Sequence, residues 1–296
     1  MENPHDFHVD VGIGKRATNE DSRNSRYFYL VVLLSAAGGF FKIVSGLVYG
    51  SKAALVDALT SIVNVAAALL VAKYEVLSLK PPDRDHHYGH KRFYVGGSMF
   101  STVLYSVVGG ALLIDLLYSS MVSYEVHILA VFFATLGAIP YLTAIAISRK
   151  VGGSYETYAR YTVIEVVECA VVILASLGGA LVSYLIDLSG AVFLLVYLFT
   201  EIVREVRELL SLISDKAPSF IVDRVREISR ELGVEIRSIR VREVVPGRYH
   251  GDAVVVLPAE TTLEKAHEVA HRVEQALKKQ GVEADLVIHI EPFHQK

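Results

Sequence analysis

The chain has 296 residues, of which 52% are hydrophobic and 21% charged, with a mean hydropathy of +0.41. That balance excludes an ordinary soluble protein and requires the charge to be segregated from the apolar runs. A formal charge of −3 offers no general basic surface for nucleic acid, and the single Cys169 excludes an internal disulfide or a thiolate metal cluster.

Residues 1–26 read as a polar cytoplasmic tail, without the basic start and apolar stretch of a signal peptide. The tail carries His5 and His8, which read as solvated side chains. Six apolar stretches follow, near 27–49, 54–79, 95–120, 128–148, 157–183 and 188–208, each close to the ~20 residues that cross a bilayer. The connections after the first, third and fifth contain only Lys52 as a basic residue. The other side holds Lys15, Arg16, Arg23, Arg26, Lys80, Arg84, Lys91, Arg92, Arg149 and Lys150. The positive-inside rule therefore places both termini in the cytoplasm, with the chain an integral protein of the cell membrane.

From about residue 211 the apolar runs shorten and alternate with charge. "SFIVDRVREISREL" has helical period, "VEIRSIRVREVV" and "HGDAVVVLP" alternate as strands, "TLEKAHEVAHRVEQALKKQG" is helical, and "EADLVIHIEP" alternates again. The predicted fold is thus an α-helical membrane protein with six transmembrane helices over 27–210 and a small C-terminal α+β domain, α-β-β-α-β, over 211–296. Two helices on a three-stranded sheet bury only a small core, which dimerisation would help to stabilise.

Between the second and third spans lies "PPDRDHHYGHKR", residues 81–92. Asp83, His86 and His90 are spaced three and four apart, so a tight turn brings three good metal ligands together. A histidine-rich loop that only faces lipid headgroups is the plainer alternative.

These features resemble the cation diffusion facilitators, proton-coupled exporters of divalent metals. The resemblance rests on six spans with both ends inside, "GSKAALVDALTSIVN", "KPPDRDHHYGHKR", and a tail with "EKAH" and "VIHIEP". It implies a transport site formed by paired residues on spans two and five, at Thr60 and Asn64 and at Tyr161 and Glu165. Most of these depart from the Asp and His usual there. Two readings are open. In the first, Asp57 and Glu168 compensate and make an all-oxygen cage suited to Mn²⁺, Fe²⁺ or Mg²⁺ better than to Zn²⁺. In the second, the cage is degenerate and the protein is a non-transporting regulatory or metal-sensing subunit. The resemblance further implies that Asp83, His86 and His90 form a second metal site, that His267, His289 and Glu291 are remnants of a metal site at a homodimer contact, and that Arg92 and Asp215 form an ion pair tying the tail to the membrane domain.

Other classes lack their motifs. A membrane metalloprotease requires a motif such as His-Glu-x-x-His, and a nucleotide-driven pump a Gly-rich loop ending in Lys-Ser or Lys-Thr. Neither occurs, so protons are the expected coupling partner, and no enzyme activity is expected.

Overall fold

Gly50 and Ser51 end one apolar helix and begin the next. In the computed structural model, helix α1 (Ala36–Val48) closes in a π-helical turn over Val44–Val48, and Gly50 takes a left-handed φ of 78°. Its Cα lies so close to the Glu125 carbonyl oxygen that an added Cβ would stand 2.2 Å from it. Ser51 then caps α2 (Lys52–Ser78), its hydroxyl accepting the Ala54 N–H at 3.1 Å. The structure describes residues 30, 33–34, 36–151, 154–279 and 282–293, with side chains described at all of these except 144, 145, 147–151 and 154–164. The tail over 1–26, with His5 and His8, lies outside the described residues.

Four more long helices follow: α3 (Phe93–Met121), α4 (Leu129–Val151), α5 (Ser154–Leu181) and α6 (Tyr184–Ile213). Among the described residues, α2, α3 and α6 have apolar stretches long enough to cross a membrane, and α1 and α4 have shorter ones. Large apolar side chains such as Phe100, Ile114, Leu174 and Phe193 stay exposed along these helices, as lipid-facing residues do, because lipid tails already match them in polarity.

The described chain divides into two compact units, one of Met1–Val65 with Val108–Val196, the other of Ala66–Val107 with Tyr197–Lys296. The division runs through α2, α3 and α6, so the ends of these helices belong with the tail. In the first unit, Asp187 at the start of α6 is fully buried and accepts from Ser51 Oγ and the Lys52 N–H, both at 2.6 Å, and from Tyr124 O–H at 3.0 Å. A carboxylate borrowed from α6 thus satisfies an orphan amide at the N-terminus of α2, where negative charge is favoured. At the other wall, an added Cβ on Gly137 would stand 2.9 Å from Lys42 Cγ and 3.1 Å from the Gly38 carbonyl oxygen. Small residues here let α1 and α4 close around the Lys42 stem.

In the second unit the tail runs α7 (Ser219–Glu231), β1 (Glu235–Val245), β2 (Arg248–Pro258), α8 (Leu263–Lys279) and β3 (Glu283–Phe293), the predicted α-β-β-α-β order. The sheet order is β1-β2-β3, with β1 and β2 antiparallel across a turn at Gly247, and β2 and β3 parallel. A parallel pair needs a long crossover, and α8 supplies it. Ile221, Val225 and Ile228 recur along α7 at helical spacing and pack with Val273 and Leu277 of α8 against Val241, Tyr249 and Leu286 of the sheet. Each such buried side chain contributes ~1.5–3 kcal/mol.

Candidate metal sites

The two helices expected to carry the transport site do bring acids together. Asp57 of α2 and Glu165 and Glu168 of α5 each offer an oxygen, and the three lie within 4.8 Å of one another. Asp57 is only 1% exposed. Asn64, two turns along α2, donates to Glu165 Oε1 at 2.5 Å. The Thr60 hydroxyl donates back to the Asp57 carbonyl at 3.0 Å, and Asp57 lies one turn earlier on α2. Tyr161 sits on α5, but its side chain lies outside the described residues.

A residue not singled out in the sequence stands beside two of these acids. Lys42 of α1 is 1% exposed, and its ammonium stands 2.9 Å from both Asp57 oxygens and 4.0 Å from Glu165 Oε2. It also reaches Ser61 Oγ at 3.4 Å and lies 4.2 Å from the centre of the Tyr141 ring, whose hydroxyl donates to Ser61 at 2.9 Å. Asp57 Oδ2 and Glu165 Oε2 are nevertheless buried without a well-directed hydrogen bond among the described residues. The sequence signal was available, since a lysine inside an apolar span is expensive and usually functional.

In the loop, Asp83, His86 and His90 converge. Asp83 Oδ1 accepts the N–H groups of His86 at 2.8 Å and Asp85 at 3.0 Å, an Asx turn that folds the segment back on itself. The His86 N–H, first among several causes, holds the Asp83 carboxyl below its ordinary value. His86 Nδ1 lies 3.2 Å from Asp83 Oδ1 and His90 Nε2 3.2 Å from Asp83 Oδ2, with the imidazole rings 4.2 Å apart. His90 is buried, and its Nδ1 is 3.1 Å from the Pro81 carbonyl. A carbonyl can only accept, so in the neutral ring Nδ1 carries the proton and Nε2 keeps its lone pair for an ion. His87 turns away, with Nε2 3.0 Å from the Arg84 carbonyl.

The tail holds a looser set. His267 and His271 are exposed and stack 6.2 Å apart on α8, and His289 Nε2 is 4.0 Å from Glu291 Oε1. Arg237 donates to Glu291, so the acid already has a cation beside it. Among the described residues of one chain, no group of three His, Cys, Asp or Glu ligands converges in the tail. His250, which the sequence left unplaced, is mostly buried on β2, with Nε2 3.8 Å from Asp285 Oδ2.

Arg92 donates to Asp215 Oδ1 at 2.7 Å, and Arg242 of β1 donates to Oδ2 at 2.9 Å, an addition the sequence did not suggest. The Arg242 hydrogen bond, with Arg92 in support, holds the Asp215 carboxyl below its usual value. The stability it contributes is therefore present above the unfolded-state value and is lost as pH falls through the lower folded one. Arg92 and Asp215 are 54% and 42% exposed, so the pair contributes at most ~1 kcal/mol. A double-mutant cycle with Arg92→Asp and Asp215→Arg checks this by thermal denaturation. The double swap should recover only part of the loss, because the new arginine at 215 would face Arg242. Full additivity of the two single changes would show that the pair is not coupled.

Several apolar helices carrying buried acids, followed by an α+β domain, define a multi-pass membrane protein that handles cations. Residues 28–214 match the cation efflux transmembrane domain and residues 217–293 the cytoplasmic domain of cation efflux proteins. The chain belongs to the cation efflux family; it is a transporter and not an enzyme, and its C-terminal domain is cytoplasmic. It is 26% identical over 283 residues to the manganese efflux system protein MneP of Bacillus subtilis, and 23% identical over 273 residues to MneS of the same organism. Each alignment covers 86% of this chain and 91% of the relative. A shorter match of 69 residues, 39% identical, joins it to the magnetosome protein MamM of Magnetospirillum gryphiswaldense, covering 23% of this chain and 22% of that one.

Proposed function

We propose that the chain exports a divalent transition metal ion, with manganese preferred, in exchange for protons and as a homodimer with both termini in the cytoplasm. The observation that carries this reading is the oxygen-only donor set of Asp57, Glu165 and Glu168, with Asn64 beside Glu165. Hard oxygen donors suit Mn²⁺ or Fe²⁺, whereas Zn²⁺ favours compact sites with nitrogen or sulfur. Two relatives that align over most of this chain are named for manganese efflux, which supports the same choice. The loop triad of Asp83, His86 and His90 is read as a second cytoplasmic metal site. The match of residues 217–293 to the family's cytoplasmic domain supports the dimer.

The test is the purified chain in liposomes holding a pH-sensitive dye, challenged with one divalent ion at a time. Mn²⁺ should drive proton movement out of the lumen faster than Zn²⁺ does. Zn²⁺ as the best substrate would refute the oxygen-cage assignment. The alternative, a non-transporting regulatory subunit, draws support from Lys42 already standing at Asp57, and it predicts no flux with any ion.

A further inference from the structure

We propose that Lys42 is a tethered counter-cation of the transport site, occupying the Asp57 carboxylate when no ion is bound and competing with the substrate for it. The inference rests on the oxygen-cage reading above and adds a specificity-determining residue to it. Three observations carry it. The Lys42 side chain is only 1% exposed, and its ammonium stands 2.9 Å from Asp57 and 4.0 Å from Glu165. Asp57 Oδ2 and Glu165 Oε2 retain acceptor capacity that the ammonium does not fill with a directed hydrogen bond. Lys42 also has partners that are not carboxylates, the Ser61 hydroxyl at 3.4 Å and the Tyr141 ring face at 4.2 Å.

Those partners give the ammonium somewhere to remain when Asp57 turns to an incoming ion. A cation over an aromatic face in a dry site is held by the ring quadrupole and does not need the carboxylate. The flexible lysine stem permits the small shift, whereas the planar fork of an arginine would not fit the same space. Charge sets the selectivity. Three carboxylates and one ammonium leave a formal charge of −2, which a divalent ion neutralises and a monovalent ion does not. In the empty protein the same ammonium avoids leaving Asp57 as an uncompensated buried charge.

The experiment measures Mn²⁺ binding by titration calorimetry on the full chain, with His86→Ala and His90→Ala present throughout so that the loop does not contribute. Lys42→Gln, which removes the competing charge, should bind Mn²⁺ at least tenfold more tightly, and Lys42→Arg should not. If Lys42→Gln is recovered poorly without metal, Mn²⁺ present during extraction should restore it, because the ion replaces the missing cation. Overturning results are a Lys42→Gln Kd no lower than that of the parent, equal tightening by Lys42→Arg, or a Lys42→Gln chain that Mn²⁺ does not rescue. Glu165→Gln separates the two levels of the argument. If it binds Mn²⁺ as the parent does, the cage assignment fails and the Lys42 role with it; if it loses binding while Lys42→Gln gains nothing, only the Lys42 role fails.

Discussion

Glu165→Gln should cut metal-driven proton movement by roughly 100-fold, and it should do so without unfolding the protein. The substitution keeps the oxygen that accepts the Asn64 hydrogen bond and removes one negative charge facing the ion. Losing one partner of a buried charge interaction costs ~3 kcal/mol at the lower end, which corresponds to about 100-fold. Because Lys42 retains Asp57 as its closest partner, the empty fold should stay within about 1 kcal/mol of the parent, the scale of a weak ion pair. Asp57→Asn should behave differently. It leaves the Lys42 ammonium without its nearest carboxylate, so both flux and thermal stability should fall, the latter by ~3–5 kcal/mol. Reconstituted flux and thermal denaturation measured on the same two variants check this. Unchanged flux in Glu165→Gln would remove it from the transport site, and an Asp57→Asn protein as stable as the parent would mean that the Lys42 pair has little structural weight.

That contrast shows where sequence reasoning reaches and where it stops. Hydropathy and period carried the run of apolar helices and the α-β-β-α-β tail, because each element buries or exposes its own side chains and needs no partner to be recognised. The loop triad was legible for the same reason, its ligands being separated by three and four residues of one turn. The acid group was legible only in part. Glu165 was named directly, with Thr60, Asn64 and Tyr161, as a position implied by the family resemblance, and Asp57 and Glu168 were named only as auxiliaries one turn away on the same helices. Lys42 was missed because it arrives from another helix: nothing in the spacing of α2 and α5 says that α1 delivers a cation between them. Arg237 beside Glu291 and Arg242 beside Asp215 are failures of the same kind. In each case a basic side chain distant in sequence stands at an acid that sequence reasoning had assigned a different partner.

Among the described residues the loop differs from these sites, its acid Asp83 being paired only with His86 and His90, so metal affinity there should depend on its own ligands. Asp83, His86 and His90 are already within contact of one another, and little ordering remains to be done when an ion enters, which favours binding. His90 should matter most. It is buried at 8% exposure, its ring packs against Phe93 with centroids 5.6 Å apart, and the Pro81 carbonyl fixes the tautomer that leaves Nε2 free. Fixing an imidazole through its other nitrogen is worth about 10–100-fold in affinity on its own, so removing the ring in His90→Ala should weaken loop binding by at least ~100-fold. His87→Ala is the control, because that imidazole is directed to the Arg84 carbonyl and should change loop affinity by less than about threefold, the context-dependent scatter of a weak surface contact. Co²⁺ titration followed by its visible absorption, in a chain carrying Glu165→Gln to silence the membrane site, reports nitrogen ligation at the loop directly. The spectrum should persist in His87→Ala and vanish in His90→Ala. Equal losses in the two variants would mean that the loop binds ions through its general histidine content, and the triad would then have no special standing.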